Sequence, residues 1–381
     1  MINKKVKILF VTRYFNSHYA GAVLVENLIN SLNPGIVAGV VTQAESYNDH
    51  DIIDGDIKIY KIFHFLNFIN ERLWYYGRKL SFEMELRKLC KIISNQRITH
   101  IVGVYPDLDF LELARRSSKI TGVKFLPYLH DTIVEGLSHT VQNKMAKEVQ
   151  KKIFIKNNKI FVMSEGMQRL YKRKYNIDTI PLVHSYPEDI IVKNYNKEVV
   201  SNSVFWGGSI YSINKETVKR IHSVCIHLGM ILTVSAVNKM KNLLNMGFTN
   251  NNIKILPSLN REDYLKEIKI QAALLLGIDW PDESPVHKDE LATIFPTKTV
   301  DYLISGRPII VHCPENYFLG KFFKKHKCGF ILNDRNTNSI EFQISQIFKD
   351  TNRLKQKVSN AFKASKQFHI SSVKQVFESE L

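Results

Sequence analysis

The sequence predicts an α/β protein of two Rossmann-like domains, each a parallel sheet covered on both faces by helices. Three observations carry this. Short apolar runs alternate with amphipathic stretches through the first half, the pattern of consecutive βαβ units. Periodicity then fades into a polar, charged stretch at about 187–203. The alternation restarts beyond it, and 381 residues suit two domains better than one.

In order, residues 6–12 read as a buried strand, 22–32 as a helix, 36–42 and 57–63 as strands, and 73–95 as a long helix. Residues 101–104 form a strand, 108–121 a helix, and 123–129 a strand ending at His130-Asp131. A helix at 144–154, a strand at 159–163 and a helix at 165–174 complete the first series. The second series reads strand 203–206, helix 215–228, strand 230–235, strand 253–256, helix 261–271 and strand 273–278. Residues 351–381 read as a helical tail with Val358, Phe362, Phe368 and Val373 on apolar positions. The repetition is of topology, with no repeat of sequence.

Composition narrows the function. Hydrophobic residues make up 44% of the chain, enough for full cores, and no apolar run of about 18 residues predicts a membrane span. The N-terminus is too short and strand-like for a signal peptide, so the expectation is a cytoplasmic protein. Cys90, Cys225, Cys313 and Cys328 are scattered without a CxxC, as expected of reduced, structural thiols with no zinc site. A net charge of +17 attracts polyanions. No nucleic-acid module accompanies it, so phosphorylated substrates, anionic lipid or simply a lysine-rich surface remain. Residues 63–79 interleave Phe63, Phe65, Phe68, Trp74, Tyr75 and Tyr76 with Arg72, Arg78 and Lys79. That mixture suits either a membrane interface or a partly buried connecting helix.

The most informative stretch is 295–310, Phe295-Pro296-Thr297-Lys298-Thr299-Val300-Asp301-Tyr302-Leu303-Ile304-Ser305-Gly306-Arg307-Pro308-Ile309-Ile310. It reads loop, helix, tight stop, buried strand. Pro296 presets a helix start that Thr297 can cap. Val300, Leu303 and Ile304 share an apolar face, Gly306 ends the helix, and Pro308 prevents its return. A helix opening with free amides, hydroxyls at Thr297 and Thr299, and Lys298 can hold phosphate. Asp301 can bind sugar hydroxyls. The stretch resembles the signature of family-4-type glycosyltransferases of the GT-B fold, in which an acid stands five residues before Gly-(Lys/Arg)-Pro-Ile/Val-Ile. The Pro-Thr-Lys opening is similar to the Pro-Ser-Lys variant of bacterial cell-surface polysaccharide transferases.

The resemblance implies two Rossmann-like domains facing across a cleft and a final helix returning to the first. It places an acceptor domain at 1–186, with a tail of 361–381 packed on it, and a nucleotide-sugar donor domain at 187–360. Ligands of open parallel sheets bind beyond the carboxyl ends of the strands, so the loops there are the candidate sites. Gly21, after the first strand, matches a small loop over the diphosphate or the acceptor. His130 matches a histidine that touches the donor sugar; a general base of unperturbed pKa near 6.5 is the alternative. Val162-Met163-Ser164-Glu165-Gly166-Met167 is a marker of the fold. Gly207, Gly208 and Ser209 form a loop whose amides suit a diphosphate, with Lys215 following. Ser258 and Leu259 sit where the family holds the nucleobase by its backbone.

Two departures stand out. Ser209 occupies the place of an arginine, and Thr293 that of an acid eight residues before Asp301. Lys298, with Lys215 second, is then the cation for the departing diphosphate. The reading is a glycosyltransferase with catalytic His130 and Lys298. Its donor is a nucleotide sugar and its acceptor a saccharide or lipid-linked saccharide, at the inner face of the cell membrane. Retention follows from the resemblance. No Asp-x-Asp is placed to argue for manganese, so neither metal nor separate cofactor is expected. The alternatives are a non-catalytic GT-B subunit partnering another transferase and a sugar-nucleotide epimerase of the same fold.

Overall fold

A computed structural model describes residues 6–15, 20–43, 57–62, 71–136, 140–155, 159–187, 202–236 and 240–381, with only the backbone at 20, 71–80 and 140–142. The chain divides into two compact units, Met1–Ser185 with Ile370–Leu381, and Tyr186–His369. The aromatic, basic stretch 63–79 and most of the polar stretch 187–203 lie outside the described residues or side chains.

The first unit runs β1 (Ile8–Val11), α1 (Ala20–Ser31), β2 (Val37–Gln43), β3 (Lys58–Ile62), α2 (Glu71–Gln96), β4 (His100–Tyr105) and α3 (Leu108–Thr121). It continues with β5 (Lys124–Leu129), α4 (Thr140–Ile153), β6 (Phe161–Val162), α5 (Glu165–Tyr175) and β7 (Ile180–Pro181). The strands form one parallel sheet in the order β3-β2-β1-β4-β5-β6-β7. Side chains alternate across a strand, so Ile8 and Phe10 join one apolar core while Leu9 and Val11 join another. A strand buried on both faces needs the unbroken apolar run that the sequence shows. Local signals fix the helix ends. Asp107 caps α3 by accepting from the Asp109 and Phe110 amides, and Ser164 caps α5 by accepting from Met167.

The second unit runs β8 (Ser203–Gly207), α6 (Lys215–His227), β9 (Ile231–Ser235), α7 (Met240–Asn245), β10 (Ile253–Leu256), α8 (Arg261–Lys269) and β11 (Ala273–Gly277). Then come α9 (Lys288–Thr293), α10 (Lys298–Ile304), β12 (Ile309–His312), α11 (Phe318–His326), β13 (Phe330–Leu332), α12 (Thr337–Ile347) and α13 (Thr351–Ser365). Its parallel sheet has the order β10-β9-β8-β11-β12-β13. Both sheets reverse direction next to their first strand, between β1 and β4 and between β8 and β11. Those are the points where open α/β sheets take ligands.

The tail is two helices rather than one. A 3-10 turn at Lys366–Phe368 separates α13 from α14 (Ile370–Glu378). Phe368 stacks on Phe295 at 5.5 Å within the second unit. Phe377 of α14 is wholly buried in the first, 6.2 Å from the Phe10 ring and 5.5 Å from that of Phe161. Residues up to His369 therefore stay with the second unit, and α14 belongs to the first. No helix among the described residues is long and apolar enough to cross a membrane.

Candidate functional site

The second unit gathers its polar chemistry at the carboxyl end of its sheet. Trp206, 1% exposed, is the penultimate residue of β8, and its indole N–H donates to the Gly208 carbonyl at 2.8 Å. Gly208 takes φ +95°, a conformation that favours glycine. A Cβ on Gly207 would lie 2.4 Å from the Tyr264 hydroxyl, so the phenol and the loop backbone meet there. The Gly207 and Gly208 amides do not face outward for a diphosphate, as the sequence suggested. Gly207 N–H donates to the Tyr302 hydroxyl at 2.9 Å and Gly208 N–H to the Ser235 carbonyl at 2.8 Å. Burial raises the pKa of the Tyr264 and Tyr302 phenols, so both keep their protons. Ser209 is exposed beside this loop.

Lys298, the first residue of α10, lays its ammonium over the Trp206 ring, 2.9 Å from the centroid. It has no carboxylate partner among the described residues, and desolvation holds its pKa well below the ordinary lysine range. The Thr297 and Lys298 amides likewise carry no internal hydrogen bond there, whereas the Thr299 amide donates to the Pro296 carbonyl at 2.9 Å. Thr297 does not cap: its own backbone is helical, at φ −54° and ψ −39°, and its side chain makes no capping bond. Thr299 is wholly buried, and its hydroxyl has no access to solvent and no partner among the described residues. Asp301, 7% exposed, pairs with Arg261 of α8, Oδ1 to Nη1 at 2.7 Å.

The start of α6 is closed from within. Asp279, wholly buried beyond β11, accepts from the Thr217 amide at 2.7 Å and the Glu216 amide at 3.1 Å. Lys215 pairs with its neighbour Glu216 at 2.9 Å. The first-turn amides of α6 are thus spent on a carboxylate of the protein, and Lys215 is a partly neutralised surface cation. Ser258 and Leu259, exposed and half-buried, form the turn between β10 and α8. Asn260 then caps α8 by accepting from the Asp263 amide at 2.9 Å.

In the first unit, His130 follows β5, and Gly21 lies against it: a Cβ there would meet Nδ1 at 3.2 Å. Tyr128 packs edge-on to the imidazole at 4.4 Å. Both ring nitrogens are shielded from solvent and, among the described residues, without a hydrogen-bond partner. The unperturbed pKa near 6.5 does not hold here, because burial pushes the imidazole down to about 3. At the switch point, Arg13 bonds Gln43 and pairs with Asp107 at 3.0 Å. Asp107-Leu108-Asp109 has the spacing of a metal-binding Asp-x-Asp, but Asp107 is already occupied by Arg13 and the start of α3. Among the described residues no group of three or more His, Cys, Asp or Glu could hold a metal ion.

No protein-family model matches the chain, and no curated protein does. Solved structures do. A sucrose-phosphate synthase from Thermosynechococcus elongatus is similar over 99% of this chain and 98% of its own, with TM-score 0.71 and 11% identity. Anabaena HepE, crystallised with UDP-glucose, is similar over 98% and 99%, with TM-score 0.68 and 11% identity. The fold is GT-B. The lipopolysaccharide outer core galactosyltransferase WaaB is similar over 99% and 100%, with TM-score 0.66 and 11% identity.

Within this GT-B chain, sequence reading missed the partners of its own candidates. Trp206 stands directly before Gly207, Gly208 and Ser209, where only those three drew notice. Arg261, Tyr264 and Tyr302 carried no local signal, because each acts through a contact far along the chain. A cation at the start of α8 and an acid in the first turn of α10 would pair only if those helices begin at the same edge of the sheet. The parallel topology supplies that.

Proposed function

We propose that the chain is a glycosyltransferase that takes a nucleotide-sugar donor on its second unit. The carrying observation is Lys298: a desolvated amine, parked on an indole, with no carboxylate partner among the described residues, at the carboxyl end of a Rossmann-like sheet. A donor diphosphate supplies the counter-charge that the protein withholds. The acceptor hydroxyl oxygen bonds to the anomeric carbon as the carbon–phosphate-oxygen bond breaks. The bonding pair leaves with the nucleoside diphosphate, and the acceptor proton passes to that phosphate. Lys298 and the Thr297 and Lys298 amides stabilise the leaving charge electrostatically, without a metal. Transfer on the same face, with retention, fits this assistance by the phosphate.

The acceptor in this reading is a saccharide, lipid-linked and presented at an anionic cytoplasmic membrane face, on the first unit. There His130, neutral above about pH 3, has both ring nitrogens unpartnered among the described residues, so a sugar that uncovers them meets one N–H and one lone pair.

Incubation with a panel of UDP-, GDP- and ADP-sugars, following nucleoside diphosphate release, tests the proposal. One donor class should turn over, and Lys298→Ala should reduce donor affinity at least tenfold. A chain that binds and hydrolyses none would leave a non-catalytic subunit as the reading; an epimerised sugar nucleotide without release would mark an epimerase.

A further inference from the structure

We propose that Arg261 is the second cation of the donor site, gripping a phosphoryl oxygen of the nucleotide, with Asp301 as the carboxylate that positions it. The inference rests on the donor reading of the second unit and adds a residue to it. The Gly207-Gly208-Ser209 loop offers no cation of its own, and Lys215 is engaged by Glu216. Arg261 enters from another element. It is the first residue of α8, whose start is fixed by the Asn260 cap. Its guanidinium holds Asp301 at 2.7 Å, and the exposures of the two side chains, 42% and 10%, put it on the solvent side of the carboxylate.

That position falls beside the proposed diphosphate. Lys298 and Asp301 are three residues apart on α10 and so share a face, with neighbouring side chains. Tyr264, one turn beyond Arg261, packs on Gly207, and Tyr302, next to Asp301, accepts the Gly207 amide. Arg261, Asp301, Lys298 and the Gly207 loop thus form one contiguous edge. An unpaired Asp301 there would repel a diphosphate. The ion pair cancels that charge and aims a planar, permanently charged group suited to phosphate. Asp301 is then a positioning residue, with the ribose contact displaced by the ion pair.

Calorimetric titration of the full chain with UDP, GDP and ADP and with their three nucleosides tests this. Arg261→Ala should weaken the best-bound diphosphate at least tenfold and leave its nucleoside unchanged, and Arg261→Lys should recover part. Arg261→Gln, which retains a polar end, guards against a folding defect. Asp301→Asn should weaken diphosphate binding in the wild-type background and, in the Arg261→Ala background, recover only the part of the loss that repulsion by the unpaired carboxylate causes. Asp301→Glu should restore most of the loss. If the Arg261→Ala/Asp301→Asn double variant regains wild-type affinity, Arg261 merely neutralises Asp301 and the proposal fails. Equal losses for nucleoside and diphosphate also overturn it. Unchanged diphosphate binding by Arg261→Ala sinks this inference alone, whereas a wild-type chain that binds none of the six sinks the donor reading with it.

Discussion

Lys298 shows how the surroundings of one residue set its chemistry. In the free protein, desolvation lowers the ammonium's pKa; a bound diphosphate raises it. Between those two values binding takes up a proton, so affinity falls as pH rises. Arginine stays charged throughout. Lys298→Arg should therefore bind donor with a flatter pH dependence and lose the uptake, up to about one proton, that calorimetry in buffers of different ionisation enthalpy reads in the wild type. Identical uptake by both proteins at every pH up to the ordinary lysine range would remove Lys298 from the phosphate site. Gly207 is the complementary case, because its importance is steric. Gly207→Ala puts a methyl group 2.4 Å from the Tyr264 hydroxyl and 2.9 Å from its ring. Both contacts lie on a half-buried ring packed edge-on to Phe205, so the change should cost about 1–3 kcal/mol of stability and weaken donor binding as the loop shifts. A variant with wild-type denaturation midpoint and donor affinity would show that the loop yields freely.

The elements that the sequence showed clearly are those with local causes. Buried strands such as β1 and β12 announce themselves as apolar runs, and α3, α5 and α8 carry their capping residues on the preceding position. The short elements α7, α9 and β13, six, six and three residues long, hold too few positions for any period to register. Helix starts at the candidate site were misread for a different reason. Thr297 looked like a cap, but the chain is already helical there. The glycine loop before α6 looked free to offer its amides, but the Tyr302 hydroxyl and the Ser235 carbonyl take them, 95 and 27 residues away. Such contacts exist only after the sheet assembles. The tail illustrates both cases: its apolar spacing was visible, whereas the turn that assigns Phe368 and Phe377 to different units was not. Phe377→Ala should remove the main anchor of α14 and destabilise the first unit by about 3–5 kcal/mol, read as a lowered urea midpoint. A midpoint within experimental error of wild type would mean that α14 adds little to that core.

Across the whole molecule, a net charge of +17 describes a lysine-rich surface, while stability against acid depends on histidines that the fold buries uncharged. His312 is wholly buried; Nδ1–H donates to the Leu332 carbonyl at 2.8 Å and Nε2 accepts from Arg220 at 3.0 Å. A proton on Nε2 would face that guanidinium, and burial has already pushed the imidazole down to about 4. His130 is pushed to about 3, and burial also lowers His100 and His222. A folded-state pKa below the unfolded value of 6.5 means that the unfolded chain binds more protons in acid, so stability is full above 6.5 and falls as the pH drops toward the folded pKa. For His312 alone the loss by pH 4 is about 3 kcal/mol. Buried Asp279 works in the opposite sense, since its carboxyl is raised by desolvation, and partly offsets this slope. His312→Asn should therefore be less stable than wild type at pH 7, through its lost packing and hydrogen bonds, yet lose less on acidification. Urea midpoints measured from pH 7 to pH 4 should converge for the two proteins, and parallel curves would exclude His312 from the acid response.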